Sequence, residues 1–475
     1  MNKKLFELDF ADCSDFILRE VALNNLRGFF CVMDGLADTV MLNVTVTEPI
    51  LKSKTKAESG EEYLEKVKKL ISTGLEINEA NTFDELYYYL MSGFAVLIVE
   101  GAKRGLCFGV QGWNKRTTDE PTNEAMVKGA KECFVETLND NKALLRRRLK
   151  TNELKLKQLK IGKSTDTGVV IAYMKNEAEK ELVSEIERRL KAMDINALID
   201  YGAVAELLEG GIKSPFSVIG NTERPDVLSS KLLEGRVAIL IDSTPFALYV
   251  PYLFTDNFSS LDDYNNPAFF SSFIRLLKYF SFIISLLLPA LYVAISSFHR
   301  EMIPTNLLYI IATSEEATPF SLMAEGIIIH LLYEIMREAG LRLPKTVGHA
   351  VSIIGAIVIG EAMVSAGIIG EPMLVVVALT AIASYAVYPL YESVAVLRIV
   401  FILVAGFTGL YGLMLFVCVL LVNICALSSF GVPFFAPISP LFISSLKDTI
   451  IRSKRKKSNS KPFNISSLRG GNNED

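Results

Sequence analysis

A carboxylate that interrupts a long apolar stretch is the first residue in this sequence able to carry chemistry. Glu361 is the only Asp, Glu, Lys or Arg within residues 347–369. A carboxylate inside a membrane costs roughly 2.5–3.5 kcal/mol on insertion scales, so Glu361 is expected to face protein or water. Two interpretations stay open. Glu361 borders an aqueous ion path, or it lies near a helix end, where it is protonated or reaches the membrane interface.

The same stretch carries residues that suit helix packing and gating. Small residues recur at intervals of four and predict a face on which helices approach closely: Gly348, Ser352, Ala356 and Gly360. Apolar residues on the other faces are candidates for a constriction that gates by losing its water: Ile354, Ile357 and Val358. The stretch therefore predicts a helix that lines an ion path.

A second group of candidate residues is a run of arginines, Arg146, Arg147 and Arg148. Leucines at helical spacing surround the run, so we expect a charged helical connector over 119–165. Two interpretations stay open: a solvated helix face, or contact with an acidic partner surface or lipid head groups. In the second interpretation the arginines serve assembly or coupling, and replacing all three is expected to leave the domain's stability nearly unchanged.

Catalytic and metal-binding patterns are not found. The three histidines are His299, His330 and His349, and the six cysteines are scattered without a CxxC pair. Gly162, Lys163 and Ser164 resemble the end of a phosphate-binding loop, but Lys157 stands where that motif requires glycine. The sequence therefore predicts no enzyme, no metal site and no cofactor, and a net charge of −4 gives no reason to expect nucleic acid as a partner.

Charge is distributed very unevenly along the 475 residues. Residues 276–446 contain 15 charged side chains in 171 positions, whereas the other 304 positions contain 87 of the total of 102. The first composition is typical of a membrane domain and the second of a soluble one. We therefore expect an α/β soluble N-terminal region of two related subdomains, followed by an all-α multi-span membrane domain.

The soluble region shows a repeated pattern. A buried strand and its hairpin partner are predicted at 94–110, and the same pattern returns at 237–250 when Gly93 is aligned with Gly235. The predicted divisions are a leader segment, a first subdomain, the connector, and a second subdomain with its elbow: 1–25, 26–118, 119–165 and 166–274.

The membrane domain is predicted over 275–446, with a basic tail at 447–475. Clear apolar spans are expected at 279–298, 347–369, 372–391 and 399–427. The amphipathic stretch 302–338 is expected to be interfacial, re-entrant or lining a protein-enclosed cavity. Eight Lys or Arg in the tail favour a cytoplasmic C-terminus, and a cytoplasmic N-terminal domain then requires an even number of crossings, taken as four.

Segments spread over residues 120–440 form a recognisable series: 120–138, the arginine-rich 145–150, 161–167, 222–226, 233–242, 338–344, 351–355, 378–384 and 430–433. In this order they resemble the A subunit of GerA-type spore germination receptors. The resemblance implies a subunit in the inner membrane of bacterial endospores, within a receptor that senses nutrients such as amino acids. It also implies a transporter-like B subunit and a lipoprotein C subunit as partners, and a homo-oligomer, a pentamer, that releases monovalent cations.

Three functions are therefore considered. The leading hypothesis is a receptor subunit that forms a nutrient-gated cation channel. The second is a secondary transporter that uses Glu361, Glu325 and Glu334 as relay groups, although four spans are few for such a fold. The third is a non-conducting scaffold whose soluble domains dock partners.

Overall fold

The computed structural model of the protein describes two sheet-containing subdomains and a helical region. The described residues are 3–23, 26–53, 57–71, 74–112, 124, 126, 128–343, 360–442, 449–452 and 465–468.

The first subdomain is built around a five-stranded antiparallel sheet with strand order β1-β2-β4-β5-β3. Its strands are β1 (Phe16–Leu23), β2 (Leu26–Met33), β3 (Ile77–Ala80), β4 (Ala95–Val99) and β5 (Gly105–Phe108). Its helices are α1 (Lys3–Asp9), α2 (Thr39–Leu42), α3 (Glu48–Lys52), α4 (Gly60–Ile71) and α5 (Phe83–Met91), with the π-helical turn Asn43–Thr47 joining α2 to α3. All five residues of β4 are buried because helices cover both faces of the sheet, as its unbroken aliphatic run predicts.

The second subdomain repeats this topology, with strand order β6-β7-β9-β10-β8. Its strands are β6 (Leu154–Ile161), β7 (Thr167–Met174), β8 (Gly220–Thr222), β9 (Val237–Ile241) and β10 (Ala247–Val250). Its helices are α6 (Leu138–Arg148), α7 (Lys180–Lys191), α8 (Tyr201–Glu209) and α9 (Pro225–Leu233). Gly93 and Gly235 precede the equivalent strands β4 and β9, and both have left-handed φ values, 84° and 85°. The expectation of two related α/β subdomains is therefore confirmed.

Two boundaries differ from the sequence-based divisions in the same way. Strand β1 lies within the expected leader segment, and strand β6 lies within the expected helical connector. The two strands are equivalent in the repeat and each lies at the edge of its sheet. The expectation of helix was wrong for β6, because its alternating leucines and lysines follow the period of a half-buried edge strand. The helical part of the connector is α6 alone.

The rest of the described chain is mainly helical. Its α-helices are α10 (Asp262–Asn265), α11 (Ala268–Phe298), α12 (Thr305–Glu316), α13 (Leu322–Arg342), α14 (Glu371–Ala386) and α15 (Tyr391–Ala426), with a further helical stretch over 360–365. Short 3₁₀ helices cover Phe254–Phe258, Arg300–Met302, Tyr388–Leu390 and Ile465–Leu468, and a small hairpin pairs β11 (Ser428–Ser429) with β12 (Val432–Pro433).

Helix α15 is a hairpin rather than a straight rod. Gly409 has φ 61° and ψ −155°, which interrupts the helix in its middle. The ring centroids of Phe401 and Phe416, one in each arm, are 4.7 Å apart. Both ends of the hairpin reach the second subdomain, because the Ser393 hydroxyl donates to the Pro215 carbonyl at 2.6 Å and the Ser214 hydroxyl donates to the Asn423 side chain at 3.0 Å. A straight helix of this length would separate those ends by roughly 50 Å.

Some of the predicted membrane spans coincide with observed helices and others do not. The span 279–298 lies inside α11, and 372–391 overlaps α14 but extends past its end. The single span 399–427 was wrong, since the chain reverses at Gly409 within it. Most of 347–369 lies outside the described residues. By length and composition, two of the described helical stretches are long and apolar enough to cross a membrane, 268–298 and 388–426.

Candidate functional site in the helical region

A group of ionisable side chains lies between α13 and the first arm of α15. On α13, His330 and Glu334 are one turn apart and therefore share a face. On α15, Tyr391 and Arg398 are two turns apart and share the face that meets them. We call His330, Glu334, Arg337, Tyr391 and Arg398 the polar cluster.

Arg398 links its own helix, α15, to three other helices. Its side chain is 1% exposed. Its Nε donates to the Ser285 carbonyl of α11 at 2.9 Å, and its Nη2 donates to the Ser384 hydroxyl of α14. Its Nη1 lies 3.9 Å from Oε1 of Glu334 on α13. Because Arg398 sits on α15 and bonds to the others, it holds four helices in one arrangement.

Glu334 is the one carboxylate of the polar cluster. The Tyr391 hydroxyl donates to its two carboxylate oxygens at 2.7 and 2.8 Å. Arg337 Nη1 lies 3.8 Å from Oε2, and the Arg337 guanidinium stacks 3.5 Å from the centre of the Tyr391 ring. One carboxylate therefore lies within 4 Å of two guanidinium groups, which leaves the cluster with excess positive charge.

Two buried polar side chains of α13 are His330 of the polar cluster and Glu325. His330 is buried, and neither of its ring nitrogens has a hydrogen-bond partner among the described residues. Five residues before it, Glu325 is buried and accepts a hydrogen bond from the backbone N–H of Gly370, at the start of α14. Ionisable groups enclosed in apolar helices are typical of functional sites in membranes. Of the three expectations for 302–338, the placement of Glu325 and His330 fits side chains enclosed by protein.

The predicted ion-path residues are only partly described. Glu361 lies in the helical stretch 360–365 with an exposed side chain, and Gly360 lies beside Leu374 of α14. The other predicted residues of this helix lie outside the described residues: Gly348, Ser352, Ile354, Ala356, Ile357 and Val358. Their roles in packing and in an ion path stay predictions.

The three arginines of α6 do not share one environment. Arg146 is 1% exposed and forms an ion pair with Asp15, whereas the Arg147 side chain is 37% exposed. Arg147 and Arg148 both bond to Glu132 at 2.8 Å. The interpretation of a solvated face is wrong for Arg146, because its charge is buried and paired. A role of the three residues in assembly or coupling stays a prediction.

The joint between the second subdomain and the helices was not found from the sequence. The Ser429 hydroxyl donates to the Val218 carbonyl at 2.6 Å and accepts from the backbone N–H of Tyr252 at 3.0 Å. Phe254 N–H donates to the Phe434 carbonyl at 2.8 Å. The hairpin after α15 is therefore bonded directly to the soluble part. The sequence did not indicate this role of Ser429, because Ser429 is a serine within an apolar run.

A buried ion pair lies on the soluble side of that joint. Arg236 donates to the Pro251 carbonyl at 2.9 Å and forms an ion pair with Asp256. Burial alone would raise the pKa of the Asp256 carboxyl, but the charges of Arg236 and Lys231 lower it well below its usual range. Asp256 is therefore ionised at any physiological pH, and the joint is held by charge pairing.

Soluble α/β subdomains bonded to apolar helices that enclose ionisable groups fit a membrane-associated protein. Residues 4–464 match the Bacillus/Clostridium GerA spore germination protein family. The chain therefore belongs to that family, and the resemblance to A subunits of germination receptors is confirmed.

Individual relatives are similar over most of their length. The uncharacterized membrane protein YfkQ of Bacillus subtilis (strain 168) is 36% identical over 444 residues, which cover 93% of this chain and 86% of that protein. Spore germination protein KA of the same organism is 36% identical over 446 residues, which cover 92% and 81%. A crystal structure of the N-terminal domain of the A subunit of the Bacillus megaterium spore germinant receptor GerK3 is 31% identical, with a TM-score of 0.41, and covers 53% of this chain and 93% of that chain.

Proposed function

We propose that this chain is the A subunit of a nutrient-sensing spore germination receptor and forms a nutrient-gated cation channel in the spore inner membrane. The observation that carries the proposal is the burial of Glu325, His330 and Arg398 among apolar helices, with the half-buried Glu334 beside Arg398, in a member of a spore germination family. Apolar helices retain such costly groups where ions or protons pass, or where a charged switch operates. The soluble subdomains would then receive the nutrient signal from partner subunits.

The placement of the chain ends supports a cytoplasmic soluble region. Ile465, near the C-terminus, donates its backbone N–H to the Glu234 carbonyl of the second subdomain at 2.9 Å. Both ends of the helical region therefore lie on the soluble side, which requires an even number of crossings. The basic tail supports the proposal that this side is cytoplasmic.

The ion path in this proposal follows the helix 347–369. Glu361 forms a ring of carboxylates near one mouth, while Ile354, Ile357 and Val358 form the apolar constriction. The small residues of the same helix allow neighbouring copies to pack closely in a homo-oligomer, a pentamer. A transporter-like B subunit and a lipoprotein C subunit complete the receptor, with Arg146, Arg147 and Arg148 near the contacts that couple them.

Single-channel recording of the reconstituted receptor tests this function. Stepwise, nutrient-dependent conductance is expected. Glu361→Gln should lower the preference for cations over anions, because the carboxylate ring attracts cations, and Ile357→Ala should raise the basal leak by widening the constriction. If cysteines at 354, 357, 358 and 361 stay unmodified by water-soluble thiol reagents while positions in 372–391 react, the path runs along another helix.

The polar cluster favours one second candidate, an ion-coupled transporter. Glu334 accepts a hydrogen bond from Tyr391 and lies within 4 Å of two guanidinium groups, and ionisable groups of this kind among apolar helices are typical of ion and proton pathways. Saturable flux coupled to a proton gradient, lost in Glu334→Gln and kept in Glu338→Gln, would support the transporter. Glu338 is a matched control because it lies one turn further along α13 and its side chain is 55% exposed. If neither flux nor conductance is detected, the remaining function is that of a non-conducting scaffold.

A further inference from the structure

Four exposed apolar side chains lie along one segment of the second subdomain, and we call them the α8 face: Ile199, Ala203, Leu207 and Ile212. Ile199, Leu207 and Ile212 are 78%, 45% and 38% exposed. Ala203 and Leu207 are one turn apart on α8 and share a face. The opposite side of α8 is buried, since Val204 and Leu208 pack into the core with the sheet. The α8 face is therefore the side of the helix that points away from the sheet.

The charged residues of this segment do not make it a strongly charged surface. Asp200 accepts from the backbone N–H of Tyr201 at 2.7 Å, and Glu209 accepts from the backbone N–H of Val218 at 3.1 Å. Glu206 and Lys213 are both exposed and have opposite charges. A contact made by this face therefore depends on the burial of apolar surface and not on charge attraction.

Both ends of α8 lie beside the ends of α15. At the C-terminal end of α8, the Ser214 hydroxyl donates to the Asn423 side chain at 3.0 Å, and the Pro215 carbonyl accepts from the Ser393 hydroxyl at 2.6 Å. At the N-terminal end, burial raises the pKa of the Tyr201 hydroxyl, and the charges of Asp200 and of Glu392 raise it further. Glu392 belongs to the first turn of α15, so α8 lies beside the start of that helix along its length.

In the membrane location proposed above, the ends of α15 mark the surface of the bilayer on the soluble side. The arm from Tyr391 to the bend at Gly409 is about 27 Å long, close to the hydrocarbon thickness of about 30 Å. Just before this arm, Tyr388 is 48% exposed, and exposed tyrosine at the end of an apolar helix is typical of the lipid head-group layer. Residues bonded to the ends of α15 therefore lie at the same depth.

We propose that the α8 face rests on the lipid surface, with its apolar side chains in the interfacial layer of the bilayer. This contact rests on the proposed membrane location. The bonds to α15 already hold the segment next to the bilayer, so a small apolar area is enough for binding. The contact adds a second attachment beside the joint at Ser429, and it would fix the orientation of the second subdomain relative to the membrane.

Tryptophan fluorescence in nanodiscs tests the contact with the full chain. Trp113 is the one tryptophan of the sequence, so Leu207→Trp in a Trp113→Phe background gives a single probe. Lipids brominated on the acyl chain near the head group should quench its emission about two-fold relative to unbrominated lipids. The reason is that an interfacial helix lies about 5–10 Å into the boundary of head groups and acyl chains. Leu70→Trp is the control, because Leu70 is 44% exposed on α4 of the first subdomain, and its emission should not change.

A second probe and two lipid compositions make the test sharper. Ile199→Trp should be quenched as well. Quenching should be equal in phosphatidylcholine and in mixtures with phosphatidylglycerol, because the contact is apolar. Quenching that requires phosphatidylglycerol, or emission of Ile199→Trp and Leu207→Trp that is as constant as that of the control, would overturn the contact.

The competing occupant is a second copy of the chain. A disulfide between copies at Leu207→Cys in a Cys418→Ser, Cys425→Ser background would show that protein covers this face, and it would overturn the lipid contact. Loss of the chain from vesicles in an alkaline wash would instead overturn the membrane location itself.

Discussion

The guanidinium of Arg146 is paired with the carboxylate of Asp15 across 131 residues of sequence, with Nε 2.7 Å from Oδ2 and Nη2 3.1 Å from Oδ1. Both side chains are buried. Just before Asp15 the chain bonds to strand β6, since Ser14 N–H donates to the Leu156 carbonyl at 3.0 Å. The ion pair therefore lies where the start of the chain meets the second subdomain, and it links the two subdomains.

The Arg146–Asp15 pair predicts a large difference in stability between neighbouring arginines. Arg146→Gln leaves the buried Asp15 without its hydrogen-bonded cation, and we expect a loss of about 3–5 kcal/mol in the free energy of unfolding. This revises the expectation from the sequence that replacing the three arginines leaves stability nearly unchanged, because Arg146 is buried and paired. Arg147→Gln, the control, removes a partly exposed pair and should cost about 1 kcal/mol or less. Denaturant unfolding of both variants measures this. Equal losses would mean that the pair with Asp15 does not hold the subdomains together.

The burial of Glu124 predicts that the stability of the soluble region depends on pH. Its carboxylate accepts from the Thr222 hydroxyl at 2.7 Å, and its backbone N–H donates to the Glu223 carboxylate at 2.8 Å. Burial, with the nearby charge of Glu223, raises the pKa of Glu124 to about 7. The folded state thus holds a proton that the unfolded chain loses above about pH 4.5, so stability should fall as the pH rises towards 7.

The size of that effect is at most about 3.5 kcal/mol, since the pKa rises from 4.5 to about 7 and one pKa unit corresponds to about 1.4 kcal/mol. Urea unfolding at pH 5, 6, 7 and 8 measures it. The Glu124→Gln variant should lose this part of the pH dependence and gain stability relative to wild type at pH 8. An identical pH profile in the variant would contradict the assignment to Glu124.

The bend of α15 predicts that Gly409 does not tolerate a side chain. Its φ of 61° is unfavourable for other residues, and a Cβ would lie 3.1 Å from the Phe298 ring. Gly409→Ala should destabilise the detergent-solubilised protein by about 1–3 kcal/mol, seen as a lower Tm. As a control, Gly202→Ala in α8, where a Cβ has open space, should be neutral or stabilising. An unchanged Tm in Gly409→Ala would show that the bend has another cause.

The joint at Ser429 predicts a coupling defect. Ser429→Ala leaves the Tyr252 N–H and the Val218 carbonyl without their buried partner, at a cost of about 1–3 kcal/mol. Ser428→Ala, one residue away and exposed, is the control. We expect slower nutrient-triggered germination of spores that carry Ser429→Ala, with normal protein levels. A response equal to that of the control would argue that signals pass elsewhere.

The charge boundary near residue 275 predicts that residues 1–270 fold without the helices. The fragment contains both sheets and their helices. It also loses the packing of Phe254 and Phe258 against Phe282 of α11, so a lower Tm than that of the whole chain is expected. A soluble fragment with a single cooperative melt supports the division. An aggregate or a gradual melt would place the boundary elsewhere.

The candidate site was only partly accessible to sequence reasoning. Glu325 and Glu334 stood out because charges in an apolar stretch are costly wherever the helix lies. Their partners did not stand out, since Tyr391 is 57 residues from Glu334 and Arg398 lies just before a long uncharged run rather than within it. A contact between side chains on two different helices depends on which faces of those helices pack together, and the sequence of either helix does not show this.

The sequence alone determined the features that follow from local pattern and composition. Strands β4 and β9 were recognisable because a continuous aliphatic run suits a strand buried on both faces, and the change in charge density separated the soluble part from the helices. Only the tertiary structure decided that Arg146 is buried against Asp15 and that α15 folds back at Gly409. The physical reason is that burial and the reversal of a helix depend on contacts between residues far apart in the chain, which no local periodicity records.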